Sequence, residues 1–189
     1  MFVKGIIDED FVNYKKPAMV IMYPHCNFKC DKEFGKPICQ NSALAQAPNI
    51  EIGPRALLER YLKNPITEAI VFQGLEPLDD LWEINFLING LRFNYNCNDD
   101  VVIYTGYNKD EINKEFLYRM KCLGNVIIKY GRYIPNQTPH YDEVLGVNLA
   151  SDNQYAERLW NIESKNFRGY RTCKLDKGKV KRAKRTLPL

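Results

Sequence analysis

Four short apolar runs separated by amphipathic stretches constrain this chain more than any other feature. They are Ala18-Met-Val-Ile-Met-Tyr23, Ala69-Ile-Val-Phe72, Val101-Val-Ile-Tyr104 and Val126-Ile-Ile-Lys129. None alternates with polar residues, so each reads as a strand buried on both faces, the habit of parallel sheets. Three helical patterns fall between them. Pro54 to Leu62 opens on a proline and carries Leu57, Leu58, Tyr61 and Leu62 as one stripe. Leu78 to about Phe93 places Leu81, Trp82, Ile84, Leu87, Ile88 and Leu91 at helical spacing, behind acids suited to a positive helix start. Lys109 to Leu123 is expected as one continuous third helix, with Asn108 and Glu111 as its capping pair. Strands alternating with helices imply an α/β fold whose sheet is mostly parallel. Past Gly131 the pattern fades: Val147 to Ala150 reads as a short strand, and Tyr155 to Ile162 as either strand or helix.

The chain has 189 residues, enough to bury a core without disulfide staples and few for a closed eight-stranded α/β barrel. No apolar run reaches the roughly 20 residues a bilayer requires, so no membrane partner is expected. Met1 to Asp10 holds Lys4, Asp8, Glu9 and Asp10 where a secretory leader would be apolar, and a cytoplasmic protein is expected. Residues 1–173 read as one domain, and 174–189 as a basic tail with seven basic residues and one acid between Lys174 and Arg185. The tail lacks interleaved aromatics, so nucleic-acid recognition is not expected.

In parallel α/β sheets functional groups gather on the loops that leave the strands. After the first strand comes Pro24-His-Cys26-Asn-Phe-Lys-Cys30, then eight residues, then Cys39-Gln-Asn41. After the second comes Gln73-Gly-Leu-Glu-Pro77, and after the third Thr105-Gly-Tyr107. All three loops should meet at one end of the sheet. Cys26, Cys30 and Cys39 form a soft donor set suited to zinc or an iron–sulfur cluster. His25 is a possible fourth ligand, though adjacent side chains rarely converge. Three cysteines without a second pair fit best a cubane that leaves one iron open. Cys97, Cys122 and Cys173 are scattered and read as packing thiols, and His140 as a solvent-exposed imidazole.

The cysteine loop resembles that of the radical SAM superfamily, and Gln73-Gly-Leu-Glu-Pro77 resembles that superfamily's GGEP motif. Asp10-Phe-Val-Asn-Tyr14, Tyr104-Thr-Gly-Tyr107, Gly131-Arg-Tyr133 and Leu149-Ala-Ser-Asp-Asn-Gln154 look most like the activating proteins of anaerobic ribonucleotide reductases. The resemblance implies a partial, open (β/α) barrel of the radical SAM type. It implies a [4Fe–4S] cluster on Cys26, Cys30 and Cys39, with S-adenosylmethionine chelating the fourth iron. Phe28, Ile38, Cys39, Gln40, Gly74, Leu75, Glu76, Pro77 and Thr105 are the residues it places around that cofactor. Reductive cleavage would give a 5′-deoxyadenosyl radical that takes hydrogen from a backbone glycine of the reductase, with flavodoxin or ferredoxin as electron donor. No side chain need act as acid or base. The sequence departs from the family pattern twice. The last cysteine gap is eight residues where the family has two, and Leu75 stands in place of a second glycine. Two other readings stay open: a radical SAM enzyme acting on a small molecule, similar to 7-carboxy-7-deazaguanine synthase, or a non-catalytic zinc or iron–sulfur module.

Overall fold

A computed structural model describes residues 1–159. Their elements are β1 (Phe2–Val3), β2 (Gly5–Asp10), β3 (Ala18–Tyr23), α1 (Lys29–Phe34), α2 (Ser42–Gln46), β4 (Ile50–Glu51), α3 (Pro54–Lys63) and β5 (Ala69–Gly74). They continue with α4 (Leu81–Asn89), β6 (Asp100–Tyr104), α5 (Lys114–Leu123), β7 (Val126–Tyr130), β8 (His140–Asp142), β9 (Val147–Leu149) and β10 (Tyr155–Leu159). The four expected strands are β3, β5, β6 and β7, and they pair in parallel in chain order. They are the centre of a six-stranded, mostly parallel sheet of order β10-β7-β6-β5-β3-β2, whose outer strands β2 and β10 run antiparallel. Cys173 and the basic segment 174–189 lie outside the described residues. Among the described residues, no helix is long and apolar enough to cross a membrane.

The two faces of the sheet bury different things. Met19, Ile21, Ile70, Phe72, Val101, Ile103 and Ile128 face the helices, where they meet Leu57 and Tyr61 of α3, Ile84 and Ile88 of α4, and Phe116 and Met120 of α5. All three crossover helices therefore lie on one face. Gly90, at the end of α4, lets α3 come close: a Cβ there would stand 2.7 Å from Leu58 Cδ1. The opposite face carries Val20, Val71, Val102 and Ile127 in one register layer. Tyr14 from the β2–β3 loop covers it, with Leu145 and Leu149 from the β8–β9 hairpin.

Several expectations need correcting. The third helix is not continuous. Lys109–Glu111 forms a single 3₁₀ turn closed by the Asn108–Glu111 capping box, and Ile112 is extended and buried. Asn113 then caps α5 afresh by accepting from the Glu115 and Phe116 amides. Leu78 to Phe93 is likewise composite, a 3₁₀ turn at Pro77–Asp80, then α4, then a π turn at Gly90–Asn94. Arg92 on that π turn caps α5 from outside, donating to Leu123 O and Gly124 O. Tyr155–Leu159 is a strand. His140 is half-buried in β8, and its Nδ1 has no hydrogen-bond partner among the described residues. Cys122 is only half-buried.

One buried carboxylate ties this second face together. Asp100 shares its register layer with Ala69 and Ala18, whose small side chains leave room for Tyr14. Asp100 accepts from Tyr14 Oη at 2.9 Å, from Lys16 Nζ and from Arg158 Nη1 at 2.8 Å. Burial pushes its carboxyl up, but the bonds from Arg158, Lys16 and Tyr14 outweigh burial and hold it at about 2. Because the folded value lies below the unfolded 3.8, its contribution is complete above about pH 4 and is lost as pH falls through 2. Asp100→Asn should cost about 1–2 kcal/mol at pH 7, a figure trimmed because Lys16 is partly solvated. In thermal melts the gap from wild type should close between pH 4 and pH 2. An unchanged gap would show that the ion cluster is not what Asp100 contributes.

Candidate functional site

The loops that leave β3, β5 and β6 are bolted to one another by named bonds. Glu76 is the first bolt. Its Oε1 accepts from Leu78 N at 3.0 Å and Thr105 Oγ1 at 2.7 Å, and its Oε2 from Gly106 N at 2.8 Å. Burial pushes this carboxyl up to about 7 although all three bonds pull it down. Tyr107 is the second bolt: its hydroxyl donates to Asp79 Oδ1 at 2.6 Å and accepts from Asn27 Nδ2 at 3.0 Å. Asn41 is the third, donating through Nδ2 to Gly74 O at 2.7 Å. A charge cluster adds to these. Arg132 and Lys29 both pair with Glu111, and Arg132 reaches Glu33 at 3.4 Å. Since Lys29 and Glu33 belong to α1, the cluster fastens the cysteine loop to the segments after β6 and β7.

These loops surround a cavity of about 400 Å³, within the range of small-molecule sites. Cys26, Cys30 and Cys39 all line it. Of the other residues expected around a cofactor, Gln40, Gly74, Leu75, Glu76 and Thr105 line it as well, whereas Phe28, Ile38 and Pro77 do not. Phe28 instead starts α1 in the left-handed region at φ 52°, with its amide donating to Cys26 Sγ at 3.2 Å. Ile38 contributes its amide to the loop, and Pro77 is buried at the start of the 3₁₀ turn after β5. His25 is exposed and outside the lining, so the structure does not bring it to the cysteines. Gly74 has φ 96°, and a Cβ there would stand 2.8 Å from Tyr23 N. The backbone of β3 alone thus demands glycine at this position. Leu75 avoids the positive-φ region, as a branched side chain must.

The eight-residue cysteine gap is folded, not slack. Residues 31–34 continue α1, Gly35 ends it at φ 66°, and the chain turns back. Asp31 Oδ1 then accepts from Ile38 N at 2.9 Å and from Cys39 N at 2.8 Å, returning Cys39 to the side of Cys30. Burial raises the Cys26 thiol to about 11, helped by the charges of Glu76 and Asp79. Burial, Cys39 and Asp31 raise Cys30 to about 12. Thiols so placed become thiolates only when a cation displaces their protons. Among the described residues, no three His, Cys, Asp or Glu side chains are close enough together to hold one metal ion. Three thiols are the donor set that an iron–sulfur cluster takes. Cys26, Cys30 and Cys39 line one cavity, and their donor chemistry fits such a cluster.

Sequence reading missed Asp31, Glu111, Arg132 and Lys129 as parts of this site. Asp31 carried one legible signal, an acid directly after the second cysteine at the start of the long gap. The Asn153 and Gln154 side chains serve the cavity wall, donating to Arg132 O and Gly131 O.

The role of Asp31 is open to test without any metal. In alkaline buffer, which supplies thiolate, oxidation of the metal-free protein by diamide should join Cys30 to Cys39. Asp31→Ala should slow that step severalfold, and Asp31→Asn, which keeps the accepting oxygen, much less. Equal rates in all three proteins would show that Cys39 is returned by something else. No family model, no curated protein and no solved structure matches this chain.

Proposed function

We propose that this protein is a radical SAM enzyme of the glycyl-radical-activating type. Its parallel strands would form a partial, open (β/α) barrel, Cys26, Cys30 and Cys39 would hold a [4Fe–4S] cluster, and the cavity would take S-adenosylmethionine. One observation carries this reading: the loops after β3, β5 and β6 close a single cavity of about 400 Å³ that all three cysteines line. The resemblance of those loops to radical SAM motifs supports the same assignment. When bound, such a cluster supplies the electron that cleaves S-adenosylmethionine to a 5′-deoxyadenosyl radical.

The chain's own part is to bind, orient and exclude water. Asp31 sets the third cysteine in place. Glu76 holds the β5 and β6 loops at a fixed spacing, so the cavity wall does not need to rearrange around a ligand. Arg132 and Glu111 keep α1 against the opposite wall. The substrate proposed is a glycine of an anaerobic ribonucleotide reductase, and a flavodoxin or ferredoxin is the proposed electron donor. A radical SAM enzyme acting on a small molecule is the second reading, favoured by the polar cavity floor that Gln73, Tyr104 and Lys129 supply.

Anaerobically reconstituted protein should be brown and, with dithionite and S-adenosylmethionine, release 5′-deoxyadenosine. Cys26→Ala, Cys30→Ala and Cys39→Ala should each abolish that release, while Cys97→Ala and Cys122→Ala should keep it. A colourless protein that holds one tight zinc and cleaves nothing would refute the reading. Mixing with a candidate reductase then separates the two substrates: a glycyl radical doublet in EPR supports the activase, and cleavage without a doublet favours the small molecule.

A further inference from the structure

One strand edge stands inside the cavity. The β8–β9 hairpin is a sheet of its own, two strands wide, so among the described residues neither outer edge pairs with a further strand. Asn148, Leu149 and Ala150 line the cavity, and no residue of β8 does. Successive side chains of a strand point to opposite sides. Leu149 turns down into the core with Val20, Val71 and Val102, and Asn148 turns up and is exposed. A cavity that meets both residues therefore lies beside β9, along its outer edge. Among the described residues, no backbone bond outside the β8–β9 pair reaches Val147, Asn148 or Leu149. The edge ends at Ala150, whose amide donates to Gln154 Oε1 at 3.1 Å.

The hairpin covers the apolar layer of the sheet, and the cavity opens over the next layer, Met22, Gln73, Tyr104 and Lys129. The space beside β9 is thus the place of a third strand, with the cavity floor beneath it. Open edges are normally guarded by charges, prolines or bulges. Strand β2, an edge of the large sheet, has three acids and a register shift. Strand β9, Val147-Asn-Leu149, has no charge, proline or bulge and is guarded only by its shortness. We propose that the outer edge of β9 takes an extended peptide as an added strand. Alternate side chains of that peptide would rest on the polar floor, and its backbone would enter the cavity that the three cysteines line. Peptide is the occupant that fits, because N–H and C=O groups repeating at strand spacing are matched by another extended backbone. That the peptide bears the glycine to be activated rests on the function proposed above; the edge itself does not.

Residue-by-residue amide exchange of the anaerobically reconstituted protein with S-adenosylmethionine tests this with two probes. One is a nine-residue peptide centred on the radical glycine of a candidate reductase; the other is the blocked pentapeptide acetyl-Thr-Val-Gly-Val-Thr-amide. Amides of β9 that point away from β8 should exchange freely without peptide and slow about tenfold or more at saturation, while those bonded to β8 keep their rates. Methylating the backbone nitrogens of the nine-residue peptide one at a time should weaken binding about fivefold at alternate residues and little between them. Equal losses at every position, or none, would overturn the added strand. So would outward amides that neither peptide slows, or that are already protected without peptide because the chain itself covers the edge. If the reductase gains its glycyl radical while β9 exchanges unchanged, the strand site fails and the proposed function stands. If S-adenosylmethionine is never cleaved but the pentapeptide still slows the outward amides, the proposed function fails and the strand site stands.

Discussion

The inner face of the parallel strands changes character within one step of register, and the site depends on that step. Val20, Val71, Val102 and Ile127 form an apolar layer, and two residues further along each strand stand Met22, Gln73, Tyr104 and Lys129. Because strand side chains alternate with a period of two, a slip of one residue in any strand would turn its polar member toward the helices. The apolar layer is sealed by Tyr14 and the β8–β9 hairpin, so the polar layer becomes the floor of a cavity instead of the middle of a core. The loops that follow at the strand ends then wall it, together with Asn13 and Asn148, Leu149 and Ala150.

Those walls are held mainly by side chains that never need to touch a ligand. Glu76 spends both oxygens on the β5 and β6 loops, and Tyr107 spends its hydroxyl on Asp79 and Asn27. Burial and neighbouring acids disfavour the charged form of the Cys26 and Cys30 thiols. Those acids disfavour the thiolates and leave the neutral thiols undisturbed.

How much of this was legible in the sequence depends on where each signal lived. The four central strands were readable because burial on both faces leaves an apolar run. The order of their loops followed from parallel topology alone. Strand β2 was not readable: Gly5-Ile-Ile-Asp-Glu-Asp10 is an edge strand with charges and a register shift after Ile7. The break at Ile112 was missed because two asparagine caps five residues apart look, in periodicity, like one helix with one start. At the site, the cysteines and Gly74 announced themselves. Lys129 did not, since a single lysine ending an apolar strand is as compatible with solvent as with a cavity floor. Its meaning came from which face it takes. Glu76 was legible as a motif residue, but the structure gives its carboxylate to the protein's own loops.

The proposed function requires that Cys26, Cys30 and Cys39 hold a cubane with one iron left open. Mössbauer spectroscopy of the anaerobically 57Fe-reconstituted protein tests this most directly, recorded with and without S-adenosylmethionine. The expected result is a [4Fe–4S] signal in which one iron of the four changes its parameters when S-adenosylmethionine is added. Four irons that stay equivalent, or iron that never assembles beyond mononuclear sites, would contradict it.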